Sequence, residues 1–171
     1  GTSIARLEIT NKKPVPYTLD LYKYFKGNTD NPLNGVEFEA YLTKENEDYK
    51  EGAINLLGEK IEDYTRVTGE GENVKDGQII FSDLELYGTY KLTLVETKWP
   101  VNIKQTFDKI EIIYSTENGK DITVNSTKVY FEGKEISSDN IVKATSNKAS
   151  IGININNIEE NPVPLYIYKV K

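Results

Sequence analysis

The chain of 171 residues contains no cysteine, no histidine and no methionine. Without cysteine there is no disulfide and no thiol nucleophile; without histidine there is no Ser-His-Asp triad. A zinc site built from either residue is excluded as well. Because the initiator methionine is missing too, the sequence reads as a segment of something longer. Long apolar runs are absent: nothing approaches the roughly 20 residues that span a bilayer, and no signal peptide is visible. Positive charge is in deficit, with 21 Lys and Arg against 27 Asp and Glu and a net charge of −6. Nucleic acid and anionic membranes need the opposite balance, so neither is an expected partner, nor is membrane insertion of this segment. No residue set suited to a metal or an organic cofactor stands out, and none is expected.

What is present favours strands. Hydrophobic residues make up 37% of the chain, enough for a core, and the aromatics are mostly tyrosine, 12 against 5 Phe and 1 Trp. Alternating or β-branched runs occur at 5–11 (ARLEITN), 17–24 (YTLDLYKY), 36–42 (VEFEAYL), 78–84 (QIIFSDL) and 90–96 (YKLTLVE). Further runs follow at 110–114, 122–124, 129–131, 134–136 and 151–157 (IGININN). Residues 12–16 (KKPVP) read as a linker-like break, because proline cannot donate to a ladder, and 27–35 (GNTDNPLNG) as a turn-rich segment. Asn118-Gly119 and Glu132-Gly133 read as hairpin turns. Residues 43–76 are the least regular; Ile54, Leu57 and Ile61 have helical spacing, which leaves room for one short helix within 43–63. Many short strands separated by turns indicate an all-β sandwich or barrel.

Three of these strands carry a polar residue on their apolar face. Residues two apart in a strand share a face, so Glu96 continues the row of Tyr90, Leu92 and Leu94. Lys23 continues Tyr17, Leu19 and Leu21, and Asn157 continues Ile151, Ile153 and Ile155. A buried charge is costly unless it is paired or neutralised. Each residue alone reads as a strand end at a wet rim. Together they are the set needed for an intramolecular amide bond between a lysine amine and an asparagine amide. Burial favours the neutral, nucleophilic amine and the protonated carboxyl, which can donate to the amide oxygen while ammonia leaves. Other polar residues fit less well. Glu37 and Glu39 flank Phe38 and read as solvent-facing, and Asn156 has the wrong parity for an acceptor. Asn28, Asp30 and Asn31 lack the terminal Glu of a calcium loop and read as a plain turn. No carboxylate pair stands out from the acidic background, which weighs against a glycosidase. Trp99, just beyond Glu96, is a candidate cap on the core beside the bond.

The two ends of the chain echo each other. Asn11 precedes Lys23 by 23 − 11 = 12 residues and Asn157 precedes Lys169 by 169 − 157 = 12, with a PVP linker in both intervals. A single offset of 157 − 11 = 146 also aligns Leu19 with Leu165 and Tyr22 with Tyr168. This implies a tandem array. Residues 1–11 would be the tail of a preceding repeat or an N-terminal strand, 12–157 the domain, and 158–171 a linker and first strand resembling the next repeat. Asn11 and Lys169 would then be the equivalents of the bond-forming residues in flanking repeats, and neighbouring repeats in the same chain the expected partners.

The stretches TLDLYKY, NPLNGVEFEAYL, GQIIFSDLELYGTYKLTLVETKWP and IGININN, in that order, resemble the B-type repeat domain of Gram-positive collagen adhesins and pilins (Cna B-type). The resemblance covers about half the chain. It implies a transthyretin-like or inverse immunoglobulin-like β-sandwich carrying a Lys-Asn isopeptide bond. Lys23 matches the nucleophile, Glu96 the catalytic acid and Asn157 the acceptor. It further implies a stalk domain of a cell adhesion protein, extracellular and anchored to a Gram-positive cell wall, with single-turnover autocatalysis and no enzymatic activity. The chain departs from the family pattern in three places. Tyr90 precedes Glu96 by six residues rather than four, Lys98-Trp99-Pro100-Val101 replaces the usual continuation, and 115–150 is long enough to hold an added hairpin. No sorting signal or pilin-type lysine motif is present. The alternative function is a ligand-binding adhesin module contacting host extracellular matrix or glycan through 43–76 or 115–150, where Tyr49, Tyr64 and Tyr130 are the aromatics to inspect.

Overall fold

Alternating apolar residues build strands throughout a computed structural model that describes residues 15–25, 28–49, 65–86, 88–101, 103–105, 107–116, 122–139, 141–147, 150–155 and 159–160. One sheet contains β1 (Val15–Phe25), β2 (Asn28–Pro32), β5 (Gln78–Leu86), β11 (Val142–Asn147) and β12 (Ser150–Ile155). The other contains β3 (Glu37–Lys44), β4 (Thr65–Val67), β6 (Gly88–Lys98), β8 (Lys109–Thr116), β9 (Ile122–Phe131) and β10 (Lys134–Ile136). A separate ribbon pairs β7 (Ile103–Lys104) with β13 (Glu159–Glu160). The described residues are all-β, and the two sheets form a β-sandwich.

In the first sheet β1 is central. It runs parallel to β12, with Leu21 opposite Ile153 and Lys23 opposite Ile155, and its other edge takes β5 and then β2, both antiparallel. The second sheet has the order β10-β9-β8-β6-β3-β4 and is antiparallel throughout. Leu21, Ile79, Val142 and Ile155 from the first sheet meet Phe38, Leu42, Leu92, Leu94, Ile110 and Ile112 from the second in one buried cluster. The inward rows expected on 36–42 and 90–96 are therefore the core faces of β3 and β6.

Several sequence expectations change in detail. Residues 15 and 16 belong to β1 rather than to a linker, with Pro16 opposite Glu85. The described ladder to β12 begins at Thr18, so Pro16 stands where one edge of the strand carries no such ladder, a position proline tolerates. The turn-rich segment 27–35 contains β2, whose residues pair with Tyr24 and Phe25. The runs 122–124 and 129–131 are one strand: Ile113 faces Ser126 while Tyr114 faces Val124, so Asn125 is an extra residue. That bulge flips the inward parity from Ile122 to Val129, which is why the alternation appears broken in the sequence. Within 43–63, residues 43–49 are strand and turn, and the helical spacing falls on 50–64, outside the described residues. The hairpin expected in 115–150 is present as β9–β10, with Glu132 and Gly133 at φ of 50° and 77°, a turn of the mirror-image type. The turn at Asn118-Gly119 and the strand at 5–11 lie outside the described residues.

Candidate functional site

Lys23 follows Leu21 on the buried face of β1 and is 0% exposed. Its backbone is held from two directions. Its N–H donates to the Gly77 carbonyl at 2.8 Å, and its carbonyl accepts from the Leu33 N–H at 2.9 Å. The approach of Gly77 is tight: its φ is +72°, and a Cβ there would lie 2.7 Å from the Lys23 carbonyl oxygen. Asn34 fixes this turn, since its Oδ1 accepts from the Gly77 N–H at 2.6 Å while its Nδ2 donates to Asp76 Oδ1 at 3.0 Å.

Glu96 comes from the opposite sheet. It continues the inward row of β6 and is 5% exposed. Its N–H donates to the Asp108 carbonyl at 2.9 Å and its carbonyl accepts from Gln105 Nε2 at 3.4 Å, so the segment after β7 fixes its backbone. Across the sandwich, Lys23 Nζ donates to Glu96 Oε2 at 3.0 Å. Two rings enclose the amine: Phe107 with its centroid 4.2 Å from Nζ, and Phe38 at 5.6 Å. Both rings are fully buried.

Burial dominates the electrostatics on both sides. Loss of water pushes the Lys23 amine down to about 8, against the raising influence of the Glu96 charge. The same loss pushes the Glu96 carboxyl up, opposed by Lys23 and reinforced by the nearby Asp108 carboxylate. Each group moves toward its neutral form, so the proton between them is more evenly shared than in water. An amine in this state, beside a carboxyl able to give and take a proton and walled by apolar rings, is suited to attack a carbonyl carbon brought alongside.

The structure thus brings Lys23 and Glu96 together. Asn157, the third member, lies outside the described residues, as do Asn156, Asn11 and Lys169. The described chain stops at Ile155 before Asn157 and resumes at Glu159 after it. Ile155 is fully buried and opposite Lys23, and Glu159 is opposite Lys104.

Other candidates fall elsewhere. Glu37 and Glu39 are half-buried rather than solvent-facing. Glu37 accepts from Thr97 Oγ1 at 2.8 Å and pairs with Lys98 at 3.5 Å, while Glu39 accepts from the Tyr41 hydroxyl. Tyr49 packs on Tyr41 with centroids 4.6 Å apart, and the Tyr130 hydroxyl donates to Glu111 at 3.2 Å. Tyr64 is outside the described residues. Trp99 does not cap the core: it is 38% exposed, and Phe107 takes the place beside the amine. Phe107 escaped the sequence reading because it precedes β8 in a segment with no alternation to mark an inward side chain. Gly77 and Asn34 escaped it because their contacts with Lys23 and with each other span the connections between strands.

No known family profile matches the chain, and no curated protein does. Among solved structures the chain is similar to the pilus adhesin SpaC from Lactobacillus rhamnosus GG. In the open conformation the match covers 89% of this chain at 17% identity, with a TM-score of 0.48. A C-terminal fragment of SpaC matches over 90% of this chain at 18% identity, with a TM-score of 0.47. The chain spans 16% of the first structure and 47% of the second.

Proposed function

We propose that this domain is a structural stalk module of a bacterial surface adhesin or pilin-like protein, cross-linked internally by an isopeptide bond between Lys23 and Asn157. The observation that supports this reading is the buried Lys23–Glu96 pair joining the two sheets at 3.0 Å. A lysine and a glutamate withdrawn from water in an aromatic-lined core are a poor choice for stability alone, since apolar residues of the same size would serve at least as well.

In the proposed reaction the neutral Lys23 amine attacks Cγ of Asn157 while the protonated Glu96 donates to the amide oxygen. The new Nζ–Cγ bond forms, the Cγ–Nδ2 bond breaks, and the leaving nitrogen departs as ammonia, taking up the proton lost by the amine. Glu96 ends as it began. The reaction occurs once per chain and turns over no external substrate. The closed loop spans 157 − 23 = 134 residues. By analogy with a disulfide of that size it would stabilise the fold by about 5 kcal/mol.

A domain of this kind suits an extracellular, wall-anchored, load-bearing chain, with neighbouring repeats as its partners and Asn11 and Lys169 as their cross-link residues. Intact mass tests the reading. The bonded chain is one ammonia lighter than its sequence, and Glu96→Ala restores the full mass. A wild-type chain of full mass overturns the proposal.

A further inference from the structure

Glu96 has a second carboxylate beside it. The ladder between β6 and β8 sets Leu94 opposite Ile110 and Val95 opposite Lys109. One step further in the same register Glu96 meets Asp108, and the Glu96 N–H bonded to the Asp108 carbonyl at 2.9 Å closes that step. Residues directly opposite in an antiparallel pair share a face, with Cβ atoms about 5 Å apart, and like charges placed there repel. Two further bonds hold Asp108. Its N–H donates to the Tyr130 carbonyl at 3.0 Å, and its Oδ2 accepts from the Glu132 N–H at 2.9 Å. The residue before it, Phe107, places its ring 4.2 Å from the Lys23 amine. The turn at Glu132 does not need a charge here, since an asparagine oxygen would accept the same N–H. An aspartate adds repulsion opposite a buried acid, which calls for another role.

The other charged residues of the surrounding strands are engaged elsewhere. β1 presents Lys23 itself, and β3 sets Phe38 opposite Glu96. The carboxylates flanking Phe38 lie on the other face, Glu37 with Thr97 and Lys98 and Glu39 with Tyr41. Lys109 and Glu111 of β8 pair with each other at 3.4 Å, beside Tyr130. Among the described residues, Asp108 is the like charge that opposes ionisation of Glu96.

Resting on the proposed isopeptide reading, we propose that Asp108 is a positioning residue for bond formation: its carboxylate holds the shared proton on Glu96 and so leaves the Lys23 amine neutral and free to attack. The pair can arrange one proton in two ways, as ammonium with carboxylate or as amine with carboxylic acid. Only the second offers both a nucleophile and an acid. Attraction between opposite charges favours the first. Asp108 bears on the carboxyl, whereas the charge acting on the amine is that of Glu96, so Asp108 moves the balance toward the second.

The test uses the full chain with Asp108→Asn, which removes the charge and keeps an oxygen for the Glu132 N–H. In the Asn157→Ala chain, which lacks the proposed acceptor, carbon-13 titration reads the Glu96 carboxyl directly. Its midpoint is expected to move to lower pH with Asp108→Asn and to stay in place with Asp108→Glu, which keeps the charge. In the chain that retains Asn157, made by cell-free synthesis and followed by intact mass, Asp108→Asn is expected to slow ammonia loss by about two- to fivefold, the weight of one cross-strand charge pair. The acid limb of the rate profile is expected to move to lower pH as well. An unmoved Glu96 midpoint, or slower loss with an unmoved acid limb, overturns the proposal in favour of a merely structural Asp108 and leaves the bond standing. A wild-type chain that never loses ammonia fails the isopeptide reading, and the part of Asp108 in bonding with it. Should Asp108→Asn not fold, Asp108→Ser makes the same comparison, since it too removes the charge and keeps an oxygen.

Discussion

Lys23 and Glu96 stand on facing sheets with their charged atoms 3.0 Å apart and side chains 0% and 2% exposed. Neither can reach water, so each depends on the other. Asn157→Ala removes the proposed acceptor and leaves the pair. In that background, adding Glu96→Ala strands a buried ammonium and is expected to lower stability by about 3–5 kcal/mol. Adding Lys23→Met as well removes the stranded charge and is expected to restore most of the loss. Urea unfolding measures all three; equal midpoints for the chains with and without Lys23→Met would show that the amine is not buried uncompensated.

The proton count of the pair predicts a bell-shaped pH profile for the proposed bond formation. Ammonium with carboxylate and amine with carboxylic acid hold the same single proton, so the rate is flat while one proton is shared. It falls on the acid side as a second proton binds and on the alkaline side as the last one leaves. Since burial lowers Lys23 to about 8 from 10.5, the alkaline limb is expected near pH 8. Since burial raises Glu96, the acid limb lies above its ordinary 4.5. A rate still climbing above pH 10 contradicts this. The linked stability effect in the Asn157→Ala chain has a definite sign. Between about 8 and 10.5 the unfolded chain holds a proton at Lys23 that the folded chain lacks, so stability relative to a Lys23→Met control rises with pH through that window. It is lost as pH falls through 8.

Gly77 is where the backbone around Lys23 is least forgiving. Gly77→Ala meets two obstacles, a φ of +72° and a Cβ 2.7 Å from the Lys23 carbonyl oxygen and 2.8 Å from Pro32 Cβ. The two atoms the Cβ would meet belong to the backbone and to a proline ring and cannot swing aside. The substitution is expected to cost about 1–3 kcal/mol and to slow bonding by displacing Lys23. Asn34→Ala, which leaves Gly77 N–H without its side-chain acceptor, is expected to cost about 1 kcal/mol in the same direction. Thermal melts and the time course of ammonia loss check both.

How much of this was legible follows from what each feature depends on. The inward placement of Glu96 and Lys23 was readable because alternation is a local property: Leu92 and Leu94 or Leu21 declare the buried face, and the charge two residues on inherits it. That the two face each other across the sandwich needed the resemblance as well as the parity. What alternation cannot convey is anything set by a connection between strands. Phe107 reaches the amine from a segment without periodicity, Asn34 reaches Gly77 across 43 residues, and the Asn125 bulge split one strand into two apparent ones. Pro16 was misassigned for a related reason, since its tolerance depends on which neighbour flanks β1 at that point.

The β9–β10 turn offers a stabilising change. Glu132 sits at a φ of +50°, where a side chain with a Cβ is disfavoured unless it is short and polar, and Gly133 follows at +77°. The Glu132 N–H donates to Asp108 Oδ2 at 2.9 Å, a bond that any non-proline residue keeps. Glu132→Asn gives the preferred Asn-Gly pair and is expected to raise stability by roughly 0.5–1 kcal/mol in the unbonded background. Unchanged or lowered stability in urea would show that the turn carries no such strain.

The parallel pairing of β1 with β12 determines how the domain meets tension. Pulling from the two ends of the chain draws these neighbours in opposite directions along their length, loading the whole ladder from Thr18 to Lys23 in shear. A bond between Lys23 and Asn157 would place a covalent link at the end of that ladder and divert force away from everything between the two residues. The shielded segment is 157 − 23 = 134 residues. At about 3.4 Å per residue, its release corresponds to roughly 450 Å of contour. Single-molecule stretching of the wild type should show no step of that size before the tether breaks, whereas Lys23→Ala should show one at moderate force. A wild-type step of full length would mean that the load is carried by hydrogen bonds alone.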